Sequence, residues 1–306
     1  MKVRKKLIAL LLTAAMSLSF TACGSENDSS NTAQGGSSGN AAEEQGSQDG
    51  SSGQSAAEIL ASSKKNMAEI KSLNAQSVVE MDMKISADGE EQSMESVTTM
   101  DMSCSYDPVL AKIDMTMDMG ELGTQETSMY MEETDGEYKL YVSDGTSWQS
   151  QAIPAPTAAQ YDAASNMTTY MDESLEEAGT EKLDSGNAYK YTGVITGDRM
   201  KEVMDSSGML DSLSSYGIDA DQADSLLSGL GEISVTLWID EETLYPVKYE
   251  LDETEIMNTL MAKAMESAGG ETEGVTMEFS KVVMQMTCSD FNEVEAISIP
   301  DEAKGA

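Results

Sequence analysis

Apolar residues recur at every second position along much of the chain, and this alternation is what most constrains its fold. In the stretch IDMTMDM, residues 113–119, Met115, Met117 and Met119 alternate with polar residues. Because successive side chains of a strand point to opposite faces of a sheet, such a run predicts a strand with one apolar face. Further runs of this kind lie at residues 79–85, 94–106, 129–131, 138–142, 188–195, 233–239, 247–251 and 275–288. With a short strand around Trp148, they predict about ten strands in antiparallel hairpins.

Turn signals and one change of phase refine this prediction. Asp-Gly pairs at residues 88–89, 135–136 and 144–145 separate neighbouring runs, and this dipeptide favours tight hairpin turns. In the last run the apolar residues move from odd positions, Met277 and Phe279, to even positions from Val282 onwards. An extra residue in one strand produces such a slip, so we expect a β-bulge near Lys281 and Val282.

A few segments have apolar residues at helical spacing instead. Residues 56–73 and 254–267 predict helices, and residues 157–178 and 198–230 are helical or loop-like. An antiparallel sheet with one apolar face must bury it, and the chain offers helices rather than a second sheet for this purpose. The predicted fold class is therefore α+β: a large curved antiparallel sheet, a half-open β-barrel, with helices covering its concave face. Residues 56–303 are expected to form a single domain.

The N-terminal segment predicts export and a lipid anchor. Basic residues at positions 2, 4, 5 and 6 precede a mostly apolar run, Leu7–Leu18. That run is too short to span a bilayer and is typical of a secretory signal. The following LSFTAC resembles the bacterial lipobox, which implies that Cys23 carries a diacylglycerol and becomes the first residue. We therefore expect a signal peptide at residues 1–22, and a lipidated Cys23 followed by a disordered Gly/Ser-rich linker at residues 23–55.

Composition narrows the possible functions. The chain has 55 acidic and 18 basic residues, a formal net charge of −37, and no histidine. Nucleic acids and anionic lipid head groups repel such an acidic chain. We therefore expect it to contact the membrane only through the anchor. The lack of histidine excludes His-assisted nucleophilic catalysis and most zinc sites. We find no nucleotide-binding or hydrolase motif. We expect a monomer that is no enzyme and needs no metal or cofactor beyond its anchor.

Two cysteines remain besides the predicted anchor. Cys104 and Cys288 both lie on the apolar phase of predicted strands. Outside the cytoplasm they can form a disulfide, but a free cysteine is also a common small apolar residue of a core. The sequence leaves both alternatives open.

Three features together resemble the LolA/LppX-like superfamily of lipoproteins, particularly members from Gram-positive, clostridial-type bacteria. They are the lipobox Cys23 with its polar linker, a leading helix that runs into a long strand (residues 66–86), and the late hairpin VTLWIDEETLYPVKYELD, residues 235–252. The resemblance implies a half-open barrel whose concave face is covered by helices. It also implies that lipids or lipoprotein acyl chains bind there.

Methionines are the most numerous candidates for a functional site. The chain contains 24 of them, often two positions apart on predicted strands. They form a packed core, line a deformable groove for an apolar ligand, or bind copper(I) through their thioethers. Residues two apart on a strand are separated by about 7 Å, so one pair alone cannot chelate an ion. The candidate groove-lining residues are Met81, Met83, Met100, Met102, Met115, Met117, Met119, Met284 and Met286.

These observations favour a lipoprotein on the outer face of the cell membrane that binds a lipid or other apolar ligand between its sheet and its helices. A structural or interaction lipoprotein of the envelope, with no small ligand, is the alternative. Methionine-based copper(I) binding is a minor alternative.

Overall fold

The computed structural model describes residues 55–87, 90–159, 161–171, 174–196, 199, 231–268 and 275–306. Residues Ala56–Ala306 form one compact unit. The predicted signal peptide, the predicted anchor Cys23 and nearly all of the predicted linker lie outside the described residues. The same holds for almost all of the segment 198–230 and for the predicted turn at residues 88–89.

The described residues form eleven strands and five α-helices. The strands are β1 Ser72–Ala87, β2 Glu90–Tyr106, β3 Val109–Asp118, β4 Thr124–Thr134, β5 Glu137–Ser143, β6 Trp148–Ile153, β7 Glu176–Leu183, β8 Gly186–Ile195, β9 Ile233–Asp240, β10 Pro246–Asp252 and β11 Val275–Ser289. The helices are α1 Ala56–Ala68, α2 Ala155–Ala159, α3 Ala163–Thr169, α4 Thr254–Ala268 and α5 Asp301–Lys304. A 3₁₀ helix, Gly120–Leu122, lies between β3 and β4.

All eleven strands belong to one open antiparallel sheet, in the order β6-β5-β4-β3-β2-β1-β11-β10-β9-β8-β7. The predicted α+β class, a curved half-barrel with a few helices, is confirmed. β7 is not among the predicted strands. Its sequence EEAGTEKL is acidic and mostly exposed, and it pairs only with β8 at the edge of the sheet. An edge strand of this kind carries no apolar alternation to detect.

The two faces of the sheet differ as the alternation predicts. We call inner face the side to which β1 contributes Leu73, Ala75, Ser77, Val79, Met81, Met83 and Ile85. Residues directly opposite one another in antiparallel strands share a face, and Ala75 pairs with Met102 of β2 and Cys288 of β11. The opposite outer face is mainly polar, with charged residues such as Glu80 and Asp101. The core therefore lies on the inner face, where Leu73, Ile113 and Leu237 are fully buried.

The predicted β-bulge is confirmed. Asp82 pairs with Lys281, whereas Met83 pairs with Phe279, so Ser280 is the extra residue. The bulge keeps both Phe279 and Val282 on the inner face, each 2% exposed. It lies one residue before the predicted position.

Helices α1–α4 lie on the side of the inner face, whereas α5 lies on the outer face. α4 packs on β11, where Met257 joins Met83, Phe279 and Val282 in one apolar cluster. α3 contacts β1 and β10, and α1 contacts α3. On the outer face, Ile299 and Ala303 from the C-terminal segment cover two tyrosines, Tyr130 and Tyr141. No described helix is both long enough and apolar enough to cross a membrane.

Candidate ligand-binding site

The structure places eight of the nine candidate methionines on the inner face. Met83, Met102, Met115 and Met286 are buried, while Met81, Met100, Met117 and Met284 are half-buried. Met119 lies one residue beyond β3 and precedes the 3₁₀ helix, so it does not continue the predicted strand. Of the half-buried members, Met117 and Met284 lie at the same level of the sheet, joined across β2 and β1 by Thr98 and Val79.

Among the candidates and their cross-strand partners, methionines face one another in pairs. Met100 lies directly opposite Met115, and Met83 lies opposite Met94. Met102 instead faces Ala75 and Ile113. Within the described ranges, no group of three or more Cys, Asp or Glu side chains is arranged to hold a metal ion.

A cleft of about 490 Å³ opens between α1 and α3 at the end of β2. Residues of α1 and the turn after it form one wall, and residues of α3 form the other. Its lining residues are Lys64, Met67, Ala68, Ile70, Tyr106, Asp162, Ala164, Ser165 and Thr168. We refer to this space as the cleft.

A smaller pocket of about 160 Å³ adjoins the cleft beneath α2. Its walls are mostly apolar and come from alanines of α2 and from residues at the ends of β2–β5, with Tyr161 and Asp162 beside them. Cys104, Ala111, Met131 and Ala158 are the most deeply buried of these. We refer to this space as the apolar pocket. The methionines that line the two cavities, Met67 and Met131, are not in the set predicted from the sequence.

Tyr106 and Asp162 line both cavities and stand between them. The Tyr106 hydroxyl donates to Asp162 Oδ1 at 3.1 Å and accepts the backbone N–H of Ala164 at 3.0 Å. Asp162 Oδ1 also accepts the backbone N–H of Ser165 at 3.0 Å, because Asp162 is the N-cap of α3. Burial raises the pKa of Tyr106 far above its ordinary value, so its hydroxyl stays protonated and donates.

The two cysteines are free, buried thiols. They lie on the strands flanking β1, where Leu73 pairs with Cys104 and Ala75 with Cys288. Burial raises the pKa of the Cys104 thiol to about 11 and raises that of Cys288 further. Both thiols are therefore protonated and unreactive at neutral pH. The alternative that the sequence left open is settled in favour of free cysteines.

The sequence analysis did not identify Lys64, Tyr106 and Asp162 as candidate site residues. They belong to α1, to the end of β2 and to the turn before α3, and only the packing of the helices brings them to one cleft. One signal in the sequence pointed to Asp162, because an aspartate before a short helical stretch is a typical N-cap.

A protein-family model matches residues 55–306 of the chain. The chain belongs to DUF6612. This is described as a family of unknown function. No curated protein matches the sequence.

Solved structures similar to this DUF6612 chain share little sequence with it. One is a domain described as an outer membrane lipoprotein-sorting protein from Vibrio parahaemolyticus, with 11% identity, coverage of 80% of this chain and 95% of that chain, and a TM-score of 0.25. Another is a LolA superfamily protein from Nitrosomonas europaea, with 13% identity, 81% and 96% coverage, and a TM-score of 0.23. A DUF1329 family protein from Desulfovibrio piger has 11% identity, 78% and 92% coverage, and a TM-score of 0.24. The LolA superfamily, which the sequence resembles, is thus represented among them.

Proposed function

We propose that this protein is a lipoprotein tethered through Cys23 to the outer face of the cell membrane, where it holds an apolar or amphipathic ligand between its sheet and its helices. The observation that supports this most directly is the apolar pocket beside the open cleft. Much of the rest of the described inner face is packed, with Leu73, Ile113 and Leu140 at most 1% exposed. An unfilled apolar space next to an opening is what a binding site requires.

The chemistry of the pocket suits an apolar guest. Transfer of each CH₂ group from water contributes about 0.8 kcal/mol. Alanines on α2 leave room, and Met131 in the pocket and Met67 in the adjoining cleft offer flexible side chains that adapt to different shapes. The half-buried Met100 and Met117 leave further apolar surface on the inner face.

Native mass spectrometry of residues 24–306, purified from a bacterial host, tests ligand binding. We expect a co-purified lipid or other apolar molecule. Ala158→Leu fills the apolar pocket and should lower the bound fraction at least fivefold, about 1 kcal/mol. Ala152→Leu is the matched control, because Ala152 is exposed on β6, and it should leave the bound fraction unchanged. Absence of any bound molecule, together with no uptake of a fluorescent fatty acid, contradicts the proposal.

That contradicting result supports the second candidate, a structural or interaction lipoprotein without a small ligand. The observation in its favour is the packed core. Phe279, Met129, Met167 and Leu237 are all at most 2% exposed, so most of the described inner face has no room for a guest.

The tether is tested separately. Cys23→Ala removes the acceptor of the lipid, so we expect the protein to move from the membrane fraction to the soluble or secreted fraction. Incorporation of a clickable fatty acid into the native protein, but not into Cys23→Ala, is the matching readout. Equal fractionation and equal labelling of both proteins contradict the anchor.

A further inference from the structure

The apolar pocket has the size of a ring rather than of a long acyl chain. Its volume is about 160 Å³, and an apolar cavity of about 150 Å³ in a protein admits benzene. Asp162 is the one charged residue in its lining. A group as large as a phenyl ring or a branched alkyl side chain therefore fills it.

A carboxylate oxygen is available where the pocket meets the cleft. Oδ1 of Asp162 accepts two hydrogen bonds, from the Tyr106 hydroxyl and from the Ser165 N–H. Oδ2 accepts none from the part of the chain that the structure describes. An ammonium forms a strong, charge-assisted hydrogen bond to such an oxygen, and the net charge of −37 attracts cations rather than anions.

A cation lies farther out in the same cleft. Lys64 lines the cleft but not the apolar pocket, whereas Asp162 lines both. The Lys64 ammonium has no ion pair among the described side chains. Going from the pocket outwards, a ligand would therefore meet the apolar walls first, then the Asp162 carboxylate and then the Lys64 ammonium.

A ligand complementary to this order has an apolar group, then an ammonium, then an acid. We propose that the cleft and the apolar pocket bind a free α-amino acid with an apolar side chain. The side chain fills the pocket, the α-ammonium donates to Asp162 Oδ2, and the α-carboxylate pairs with Lys64. This inference rests on the proposed function, because it names the ligand class of the same pocket.

Three probes with one skeleton test the proposal by isothermal titration calorimetry on residues 24–306. L-phenylalanine carries both charges, phenethylamine lacks the carboxylate, and 3-phenylpropionate lacks the ammonium. We expect L-phenylalanine to bind most tightly and 3-phenylpropionate at least about tenfold more weakly, since the latter places a carboxylate next to Asp162 with no cation between them.

Two variants separate the charges from the fold. Asp162→Asn keeps an N-cap for α3 but removes the charge, so it should weaken L-phenylalanine and phenethylamine about tenfold and leave 3-phenylpropionate unchanged or tighter. Lys64→Gln should weaken L-phenylalanine and leave phenethylamine unchanged. Lys65→Gln, an exposed neighbour on α1 that lines neither cavity, is the matched control and should change nothing.

The inference is overturned if the three probes bind with equal affinity or if 3-phenylpropionate binds most tightly. It is also overturned if the Asp162→Asn variant binds the probes as tightly as the native protein does. The proposed function is judged by a different readout. If no probe binds but a lipid co-purifies and Ala158→Leu displaces it, the amino-acid site is wrong and the proposed function stands. If neither a probe nor an apolar molecule binds, both are wrong.

Discussion

The side-chain amide of Asn258 joins α4 to β11 at the bulge. Nδ2 donates to the Phe279 carbonyl at 2.8 Å and to the Thr254 carbonyl at 3.0 Å, and Oδ1 accepts the Phe279 N–H at 2.8 Å. A bulge disrupts the ladder of a sheet locally. Asn258 therefore supplies partners for both backbone groups of Phe279 beside the extra residue Ser280.

Asn258→Leu should lower the free energy of unfolding by about 2 kcal/mol, because it leaves the N–H and the carbonyl of Phe279 without these partners. Urea unfolding followed by circular dichroism measures the change. Thr259→Val is the control on the same helix, since among the described residues its hydroxyl bonds to the Glu255 carbonyl of α4 alone, and it should stay within about 0.5 kcal/mol. Equal losses in the two variants contradict the role of Asn258.

Glu253, the residue before α4, has a carboxyl group whose pKa is shifted towards neutral pH. Desolvation, and then the charge of Asp252, raise the pKa of its carboxyl to about 7. Tyr170 and Tyr249, whose ring centroids lie 5.0 Å apart, are the other titratable groups that interact with it. Burial keeps the pKa of both tyrosines above the ordinary value, so both are neutral in this range.

Because the folded pKa of Glu253 lies above the unfolded value of about 4.3, the folded state holds this proton more tightly. The resulting stability is fully present below the unfolded pKa and is lost as pH rises through about 7. Glu253→Gln should therefore unfold with about 2 kcal/mol more free energy than the native protein at pH 8.5 and show little difference at pH 4.5. Urea unfolding at both pH values measures this. Glu250→Gln, on the outer face of β10, is the control variant, measured at the same two pH values.

At the scale of elements, the approach of β7 to the sheet depends on the absence of a side chain in β8. Gly193 lies on the inner face opposite Val235. A Cβ at this position would lie 2.9 Å from Leu175 Cδ2 and 3.4 Å from the Ser174 carbonyl. Leu175, 7% exposed, packs in the space that the missing side chain leaves.

Gly193→Val should lower the free energy of unfolding by about 1–3 kcal/mol, because the added methyl groups displace Leu175 and the start of β7. Thr192→Val places the same side chain on the exposed, opposite face of β8 and should remain within about 0.5 kcal/mol. Thermal unfolding of both variants measures the difference. A stabilised Gly193→Val would show that Leu175 moves aside at no cost.

The elements differ in how well the sequence predicts them. β1, β2, β3 and β11 are predicted because one of their faces is buried, so selection for apolar side chains leaves a period of two. β7 is not predicted because its exposed glutamates show no apolar alternation. It is an edge strand, where charged side chains protect against pairing with other chains. The cleft is missed for another reason. Lys64, Tyr106 and Asp162 meet through the packing of separate elements, and a local pattern carries no information about such a meeting.

At the scale of the whole molecule, depth below the inner surface should set the order in which methionines oxidise. Met100 and Met117 are half-buried, whereas Met102 and Met115, on the same two strands, are 5% and 7% exposed. Mild peroxide should convert the first two to sulfoxides before the second two, since the thioether must be reached by the oxidant. Peptide mass spectrometry at short reaction times measures the order. Uniform oxidation of the four residues contradicts this depth order.

The strand order also determines which strand pairing is able to form last during folding. Strands β1 to β6 follow one another as neighbours, as do β7 to β11, and the two halves meet only where β1 pairs with β11. The strands β1 to β6 are joined by short turns, whereas pairing β1 with β11 must close a loop of almost the whole domain. The N-terminal half is synthesised first. Until residues 275–289 follow, the two half-sheets cannot pair and their apolar faces stay exposed, so we expect chaperones and proteases to act on the chain in that interval.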